Sequence, residues 1–325
     1  MSAREYVPGN ILEETVVETA EGTSGALLAL SNNLADAVET AGRSVVAVHG
    51  RRGTASSGVH WQLGVIVTAD HTLDRDDNIQ VTLPSGQSVS ATLAGRDSGT
   101  DLAVLRVEGA GDSQAQIGNT ADLRIGHVVV AVARPGDIGL SASMGSISAL
   151  GGPWRTWSGG QIDQLVRPDL TLYPGFSGGA LVTAQGHIVG IVTSGLSRSM
   201  SLAVPTATIE RVVGQLLRTG RISRGYLGLG LQPVKLPDSL QSSLQIDSQQ
   251  GLIVVSVESE GPAARAGVLV GDILIALDGK PVGDTHDVQS VLDPERVGST
   301  VTGRVIRGGQ LIEQALTVGV RPRRG

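Results

Sequence analysis

Ser177, His71 and Asp101 are the residues of this chain whose types and surroundings suit nucleophilic acyl chemistry. Ser177 lies in Tyr173-Pro174-Gly175-Phe176-Ser177-Gly178-Gly179-Ala180-Leu181, just before a β-like run from Leu181 to Ile191. Small neighbours let a substrate carbonyl approach the hydroxyl, and they leave the amides of Gly175 and Ser177 free to face a developing oxyanion. A serine hydroxyl is a weak nucleophile until a base, itself oriented by a third group, takes its proton. His71 ends the apolar run of Val67-Thr68-Ala69-Asp70-His71, and Asp101 opens Thr100-Asp101-Leu102-Ala103-Val104-Leu105. Each stretch alone also reads as ordinary structure: a glycine loop, a structural histidine, a carboxylate at a turn. Together, each at the edge of a strand-like run, they read as nucleophile, base and orienting acid.

The order His71, Asp101, Ser177 is that of double-barrel chymotrypsin-like proteases, not of subtilisins or α/β-hydrolases. Such a triad needs two half-barrels facing one cleft, and the sequence offers the strands. A first set is expected at 44–48, 64–68, 79–83, 88–94 and 103–107, and a second at 127–132, 141–150, 162–166, 179–182, 187–193 and 201–204. The 45 glycines among 325 residues are well above the usual share of ~7% and fall at turns between short aliphatic runs. Residues 206–219 carry Ile209, Val212, Val213, Leu216 and Leu217 on one helical stripe, stopped by Gly220. Residues 1–25 read as a disordered polar arm, and a helix is expected from Ser31 to Gly42.

Composition closes other routes. With no cysteine, disulfide and thiolate chemistry are excluded. The six histidines form no metal-binding spacing, and no phosphate-binding glycine loop occurs, so no metal and no cofactor is expected. A net charge of −6, with only one Phe, three Trp and three Tyr, argues against nucleic acid as a partner. No run of ~18 apolar residues suggests a transmembrane segment. Without a leader-like segment in the first thirty residues the chain reads as cytoplasmic as written, or periplasmic if an export segment was removed.

On its histidine, T-D-L-A-V-L and G-x-S-G-G motifs and its C-terminal half, the chain resembles the HtrA/Deg family of trypsin-like serine proteases over about residues 30 to 320. The resemblance implies a mostly β fold: a chymotrypsin-like double barrel followed by an α+β PDZ domain. The expected divisions are an arm at 1–26, a protease domain at 27–220 and a PDZ domain with a short basic tail at 221–325. It implies His71 as base, Asp101 as its orienting acid and Ser177 as nucleophile, with Arg167 to Gly175 as an activation-sensitive loop. Two departures stand out: Phe176 where the family usually has Asn, and Ala69-Asp70-His71-Thr72 where it usually has Asn-x-His-Val. Phe176 reads as shaping the pocket rim or resetting the oxyanion loop, and Asp70 as facing water or competing with Asp101 for the imidazole. The glycine-bounded stretch 151–160, with two tryptophans, reads equally as a packing loop or a regulatory one.

Gly225-Tyr226-Leu227-Gly228-Leu229 resembles a PDZ carboxylate-binding loop, in which backbone amides hold a C-terminal carboxylate. Tyr226, Leu227, Gly228 and Leu229 are its expected contacts, with Val288, Val291 and Leu292 of a helix at 285–292 lining the groove. The expected function is ATP-independent serine endopeptidase action on unfolded or damaged proteins. The expected partners are unfolded substrates, peptide C-termini and further copies of the chain, as a trimer or a larger homo-oligomer. The alternative is a catalytically idle, peptide-binding chaperone of the same fold.

Overall fold

The computed structural model describes residues 11–109, 114–197, 199–222, 225–292 and 296–320. The chain divides into two compact units, Met1–Gly220 and Arg221–Gly325. The first opens with helix α1 (Ile11–Gly42). This helix starts about twenty residues before the expected Ser31 and overturns the disordered reading for residues 11–25; the rest of that expected arm, 1–10, lies outside the described residues. Gly22 and Gly25 look like breaks in the sequence, yet glycine keeps its N–H and costs a helix only about 1 kcal/mol each.

Six strands then close a barrel in the order β1-β2-β3-β6-β5-β4. They are β1 (Val45–His49), β2 (Ser56–Gln62), β3 (Val65–Ala69), β4 (Ile79–Thr82), β5 (Ser88–Asp97) and β6 (Leu102–Val107). Strand β2 was not anticipated. Ser56, Ser57 and His60 are buried beside its apolar residues, so it lacks the alternation that marks a half-exposed strand.

The second barrel takes β7 (Val128–Ala133), β8 (Ser141–Gly151), a small hairpin of β9 (Trp154–Arg155) and β10 (Gln161–Ile162), then β11 (Leu165–Asp169), β12 (Ala180–Thr183), β13 (Ile188–Thr193) and β14 (Leu202–Pro205). Its closed order is β11-β14-β13-β12-β7-β8. Both cores are almost wholly aliphatic; Val48, Ile66, Ile79 and Leu105 fill the first, and Val129, Ile147, Leu181 and Val192 the second. Each such side chain contributes about 1.5–3 kcal/mol when fully buried. Helix α2 (Thr206–Thr219) lies against β5 and β6 of one barrel and β13 and β14 of the other. It buries Ile209, Val212, Val213 and Leu216, and Gly220 caps it in the left-handed region, donating to the Leu216 carbonyl at 2.9 Å. The two barrels are thereby held together around one cleft.

The second unit is a sheet in the order β16-β17-β18-β20-β21. Its elements are β15 (Gly225–Tyr226), β16 (Leu229–Lys235), α3 (Asp238–Leu244), β17 (Gln250–Val257), α4 (Pro262–Arg265), β18 (Ile273–Leu277), β19 (Lys280–Pro281), α5 (Thr285–Val291), β20 (Thr300–Arg307), β21 (Gln310–Thr317) and β22 (Gly319–Val320). Asp284 caps α5 in a reciprocal box with Asp287. No helix among the described residues is long and apolar enough to cross a membrane.

Candidate active site

His71 lies in a single 3-10 turn, Asp70–Thr72, directly after β3. The Asp101 carbonyl accepts from the Asp70 N–H at 3.0 Å, and the Asp101 Oδ1 accepts from the His71 N–H at 2.9 Å. The imidazole Nδ1 lies 3.0 and 2.8 Å from Asp101 Oδ1 and Oδ2. An ionised carboxylate only accepts, so against it the neutral imidazole carries its proton on Nδ1 and its lone pair on Nε2. Asp101 is buried and holds φ +57, a strained conformation for a non-glycine residue. Asp97 supports it: its carboxylate accepts from the N–H groups of Gly99 and Thr100 at 3.2 Å and from the Thr100 hydroxyl at 2.8 Å. Gly99 in turn accepts from the Thr156 hydroxyl at 2.7 Å, so the β9–β10 hairpin braces the Asp101 turn while Trp157 at its tip is fully exposed.

The turn bearing His71 is clamped from its other side. Arg96, in β5, donates to the Asp70 carboxylate through Nε, to Asp76 at 2.9 Å, and to the Asp70 and Leu73 carbonyls at 3.1 and 2.9 Å. Asp70 therefore neither faces water nor competes for the imidazole. The strand has already ended in a 3-10 turn, so the alternation of a strand does not apply, and the carboxylate is buried against Arg96. Burial pushes its pKa above the ordinary value; Arg96 opposes this, and Asp101 and Asp97 add to it.

Ser177 sits where the second barrel meets Ser57 of the first. Its hydroxyl lies 3.1 Å from Ser194 Oγ and accepts from the Ser194 N–H at 3.2 Å; among the described residues it makes no hydrogen bond to His71. Both nevertheless line one cavity of about 250 Å3, with Arg51, Thr72, Leu172 and Pro174. No carboxylate lines it among the described residues. The loop is shaped by glycines at positive φ. A Cβ on Gly175 (φ +86) would come within 2.5 Å of Pro135, and one on Gly178 (φ +89) within 2.0 Å of the Ser57 carbonyl. Ser57 donates its hydroxyl to the Gly175 carbonyl at 2.7 Å and its N–H to the Ser177 carbonyl at 3.1 Å. The Gly175 and Ser177 N–H groups have no acceptor among the described residues. Phe176 is not on the pocket rim: it is buried in the second barrel's core and meets Tyr173 edge to face at 5.5 Å.

Thr193 and Gly195 were not singled out from sequence. The Thr193 hydroxyl donates to Asp101 Oδ2 and accepts from the Gly195 N–H at 2.8 Å. A Cβ on Gly195 would lie 2.5 Å from both Asp101 Oδ2 and His71 Nδ1, so only glycine lets the pair close here. The signal in the sequence is a Thr-Ser-Gly directly after a buried strand, which by itself names no partner.

In the second unit, Tyr226 is held in the β15–β22 ladder, and the Leu227 and Gly228 N–H groups have no acceptor among the described residues. Gly228 takes φ +78, which turns the chain into β16. Of the expected groove residues, Val288 and Val291 are buried in the unit's core with Leu227, because the apolar face of α5 packs inward. Leu229, Leu231 and Leu292 are among the partly buried apolar groups against that cluster.

Residues 56–191 match the trypsin-like peptidase domain, and residues 225–318 the PDZ domain. The chain is 34% identical over 264 residues to the serine protease Do-like HtrA of Lactobacillus helveticus, covering 77% of this chain and 64% of that protein. It is 33% identical to a probable periplasmic serine endoprotease, DegP-like, of Pseudomonas savastanoi pv. phaseolicola, covering 81% of this chain and 55% of that one. Among solved structures it is similar to the HtrA-type protease AlgW with tripeptide, at 31% identity and TM-score 0.70, covering 90% of this chain and 98% of the other. The chain belongs to the HtrA family of serine proteases. It spans 64% or less of the length of the curated HtrA relatives named here. The HtrA fold, a double barrel and a PDZ domain, is the one the motifs implied.

Proposed function

We propose that this chain is an ATP-independent serine endopeptidase acting on unfolded or damaged proteins, with His71, Asp101 and Ser177 as its working residues. The observation that carries the reading is the His71–Asp101 pair, with its Nε2 lone pair free, in the same cavity as Ser177 and two unspent backbone N–H groups. In the proposed reaction Nε2 takes the Ser177 proton as Oγ adds to the substrate carbonyl carbon. The carbonyl electron pair moves to oxygen and is met by the N–H groups of Gly175 and Ser177, each worth about 3–4 kcal/mol in well-measured cases. The imidazolium then gives its proton to the leaving nitrogen as the C–N bond breaks, leaving an acyl-serine. A water, deprotonated by the same nitrogen, cleaves that ester and regenerates Ser177. Asp101, held by Thr193, keeps the tautomer and balances the imidazolium charge. In the HtrA family frame, the PDZ unit is proposed to bind free peptide C-termini, and the open amides of Leu227 and Gly228 support this. Self-association is proposed as well, supported by the exposed Leu27, Leu28 and Leu30 of α1.

The test is casein degradation and fluorophosphonate labelling by the purified chain beside Ser177→Ala. Expected is loss of labelling, and loss of turnover on the order of a millionfold, in the variant. Labelling or cleavage retained by Ser177→Ala overturns the assignment. One observation favours the idle-chaperone reading, the Ser177 hydroxyl bound to Ser194 instead of His71. An unlabelled wild-type chain that still protects unfolded protein from aggregation would decide for it.

A further inference from the structure

The edge of the PDZ sheet carries information on how much of a ligand it can read. Among the described residues β16 pairs with β17 alone, so its other side is open. In an antiparallel pair, successive residues turn their N–H and C=O alternately toward and away from the partner. Leu236, next along the chain, donates its N–H to the Gln249 carbonyl at 3.0 Å. The register runs unbroken from Leu231↔Val254 to Lys235↔Gln250, so Gln232 and Val234 face β17 while Leu231, Pro233 and Lys235 face the open side. Before the bulge between Gly230 and Leu231, the Glu258 N–H donates to the Gly228 carbonyl at 2.9 Å, so Gly230 faces inward and Leu229 outward. The open side thus presents N–H groups at Leu229 and Leu231. At the next such position Pro233 has none.

We infer that this groove reads only about the last four residues of a C-terminal tail, because Pro233 ends the ladder on which the tail pairs. This rests on the proposed binding of peptide C-termini and deepens it. A carboxylate held by the N–H groups of Leu227, Gly228 and Leu229 places the ligand's terminal residue opposite Leu229. The ligand must then run antiparallel to β16, with its third residue from the end opposite Leu231. That pair exchanges both bonds, and a fourth residue is needed to make the third one's nitrogen an amide. The fifth residue from the end meets Pro233: its carbonyl finds no donor there, so a pair that would exchange two bonds keeps at most one, from the fifth residue's N–H to the Pro233 carbonyl. The partner that fits is a short, flexible tail ending in a free carboxylate, not a long strand and not an internal segment. Proline on an exposed edge also blocks open-ended pairing between copies of the sheet.

The experiment uses the full chain carrying Ser177→Ala, so that peptides are not cut. The tightest-binding octapeptide is selected from a library with free C-termini, labelled with fluorescein, and shortened from its N-terminal end. Expected is an affinity changing less than about twofold from eight residues to four and dropping about fivefold or more from four to three. Adding Pro233→Val restores the donor, so extension from four residues to six tightens binding about two- to tenfold. A wild-type edge that gains severalfold from the fifth and sixth residues overturns the inference and leaves C-terminus binding intact. Equal binding of free-acid and amidated octapeptides overturns both.

Discussion

The two halves of the candidate site are built by different physics. The His71 turn is held by charge: the Asp101 carboxylate on one side and, on the other, the Arg96 guanidinium reaching two carboxylates and two carbonyls. The Ser177 loop is held by space: Gly175 and Gly178 at positive φ press backbone against Pro135 and Ser57, and no ionised side chain bonds the Ser177 hydroxyl. A half built on charge answers to pH and to the loss of a partner. A half built on close backbone approach answers to added volume and hardly to pH.

The largest expected effect falls on the packed half. In Gly178→Ala the new methyl meets a backbone carbonyl at 2.0 Å from a conformation that L-residues avoid. Steric conflict of this kind is expected to cost about 4–5 kcal/mol or more. Thermal unfolding of the variant from pH 5 to 8 should show a large loss that is the same at every pH. A variant as stable as wild type would mean that the loop has room that its close packing denies.

On the charged half, Arg96→Gln leaves the Asp70 carboxylate buried without its cation. Breaking such a pair typically costs 3–5 kcal/mol; with Arg96 about one-third exposed, about 2–3 is expected. Activity should fall further than stability explains, because the same guanidinium fixes the two carbonyls that frame His71. Arg96→Lys, which keeps the charge but not the fork, should recover part of the stability and less of the activity. Equal recovery of both would reduce the clamp to a point charge.

What could be read from sequence follows the same division. The strands, α2 and the groups at His71, Asp101 and Ser177 were legible because local patterns mark them: aliphatic runs, a 3.6-residue stripe, glycines around a serine. Strand β2 escaped because burial on both faces erases alternation. Thr193, Gly195 and Arg96 escaped because their parts exist only in three dimensions; Thr193 lies 92 residues from the carboxylate it serves. Phe176 and Asp70 stand out in the sequence as departures, but the pocket rim expected for the one and the open water or imidazole expected for the other are not where they lie. Nothing local says that an aromatic beside a serine turns into the barrel, or that a carboxylate beside a histidine ends a strand and finds an arginine 26 residues away. In the second unit the apolar spacing of Val288 and Val291 points to the groove, and only the packing of α5 shows that both side chains are buried in the unit's core.

The smallest expected effect isolates the charge that distinguishes the halves. Asp70 has its folded pKa raised above the ordinary 3.8, chiefly by burial, with Arg96 opposing. The folded state therefore binds a proton more tightly than the unfolded chain does. Stability from this group is full below the unfolded pKa and is lost as pH rises through the raised folded value. Asp70→Asn is always neutral and removes this dependence while keeping an acceptor for Arg96. Relative to wild type, the variant should gain stability as pH rises through about 4, where the unfolded carboxyl ionises. The gain should level off once the folded carboxyl has ionised too, and the two stability curves should run parallel from there. It should stay smaller than the loss from Arg96→Gln, because in the wild-type chain the guanidinium already offsets part of the burial. A wild-type chain that gains on Asp70→Asn over the same rise in pH would show the guanidinium outweighing burial, and would make the Arg96 clamp a net electrostatic stabiliser of the His71 turn.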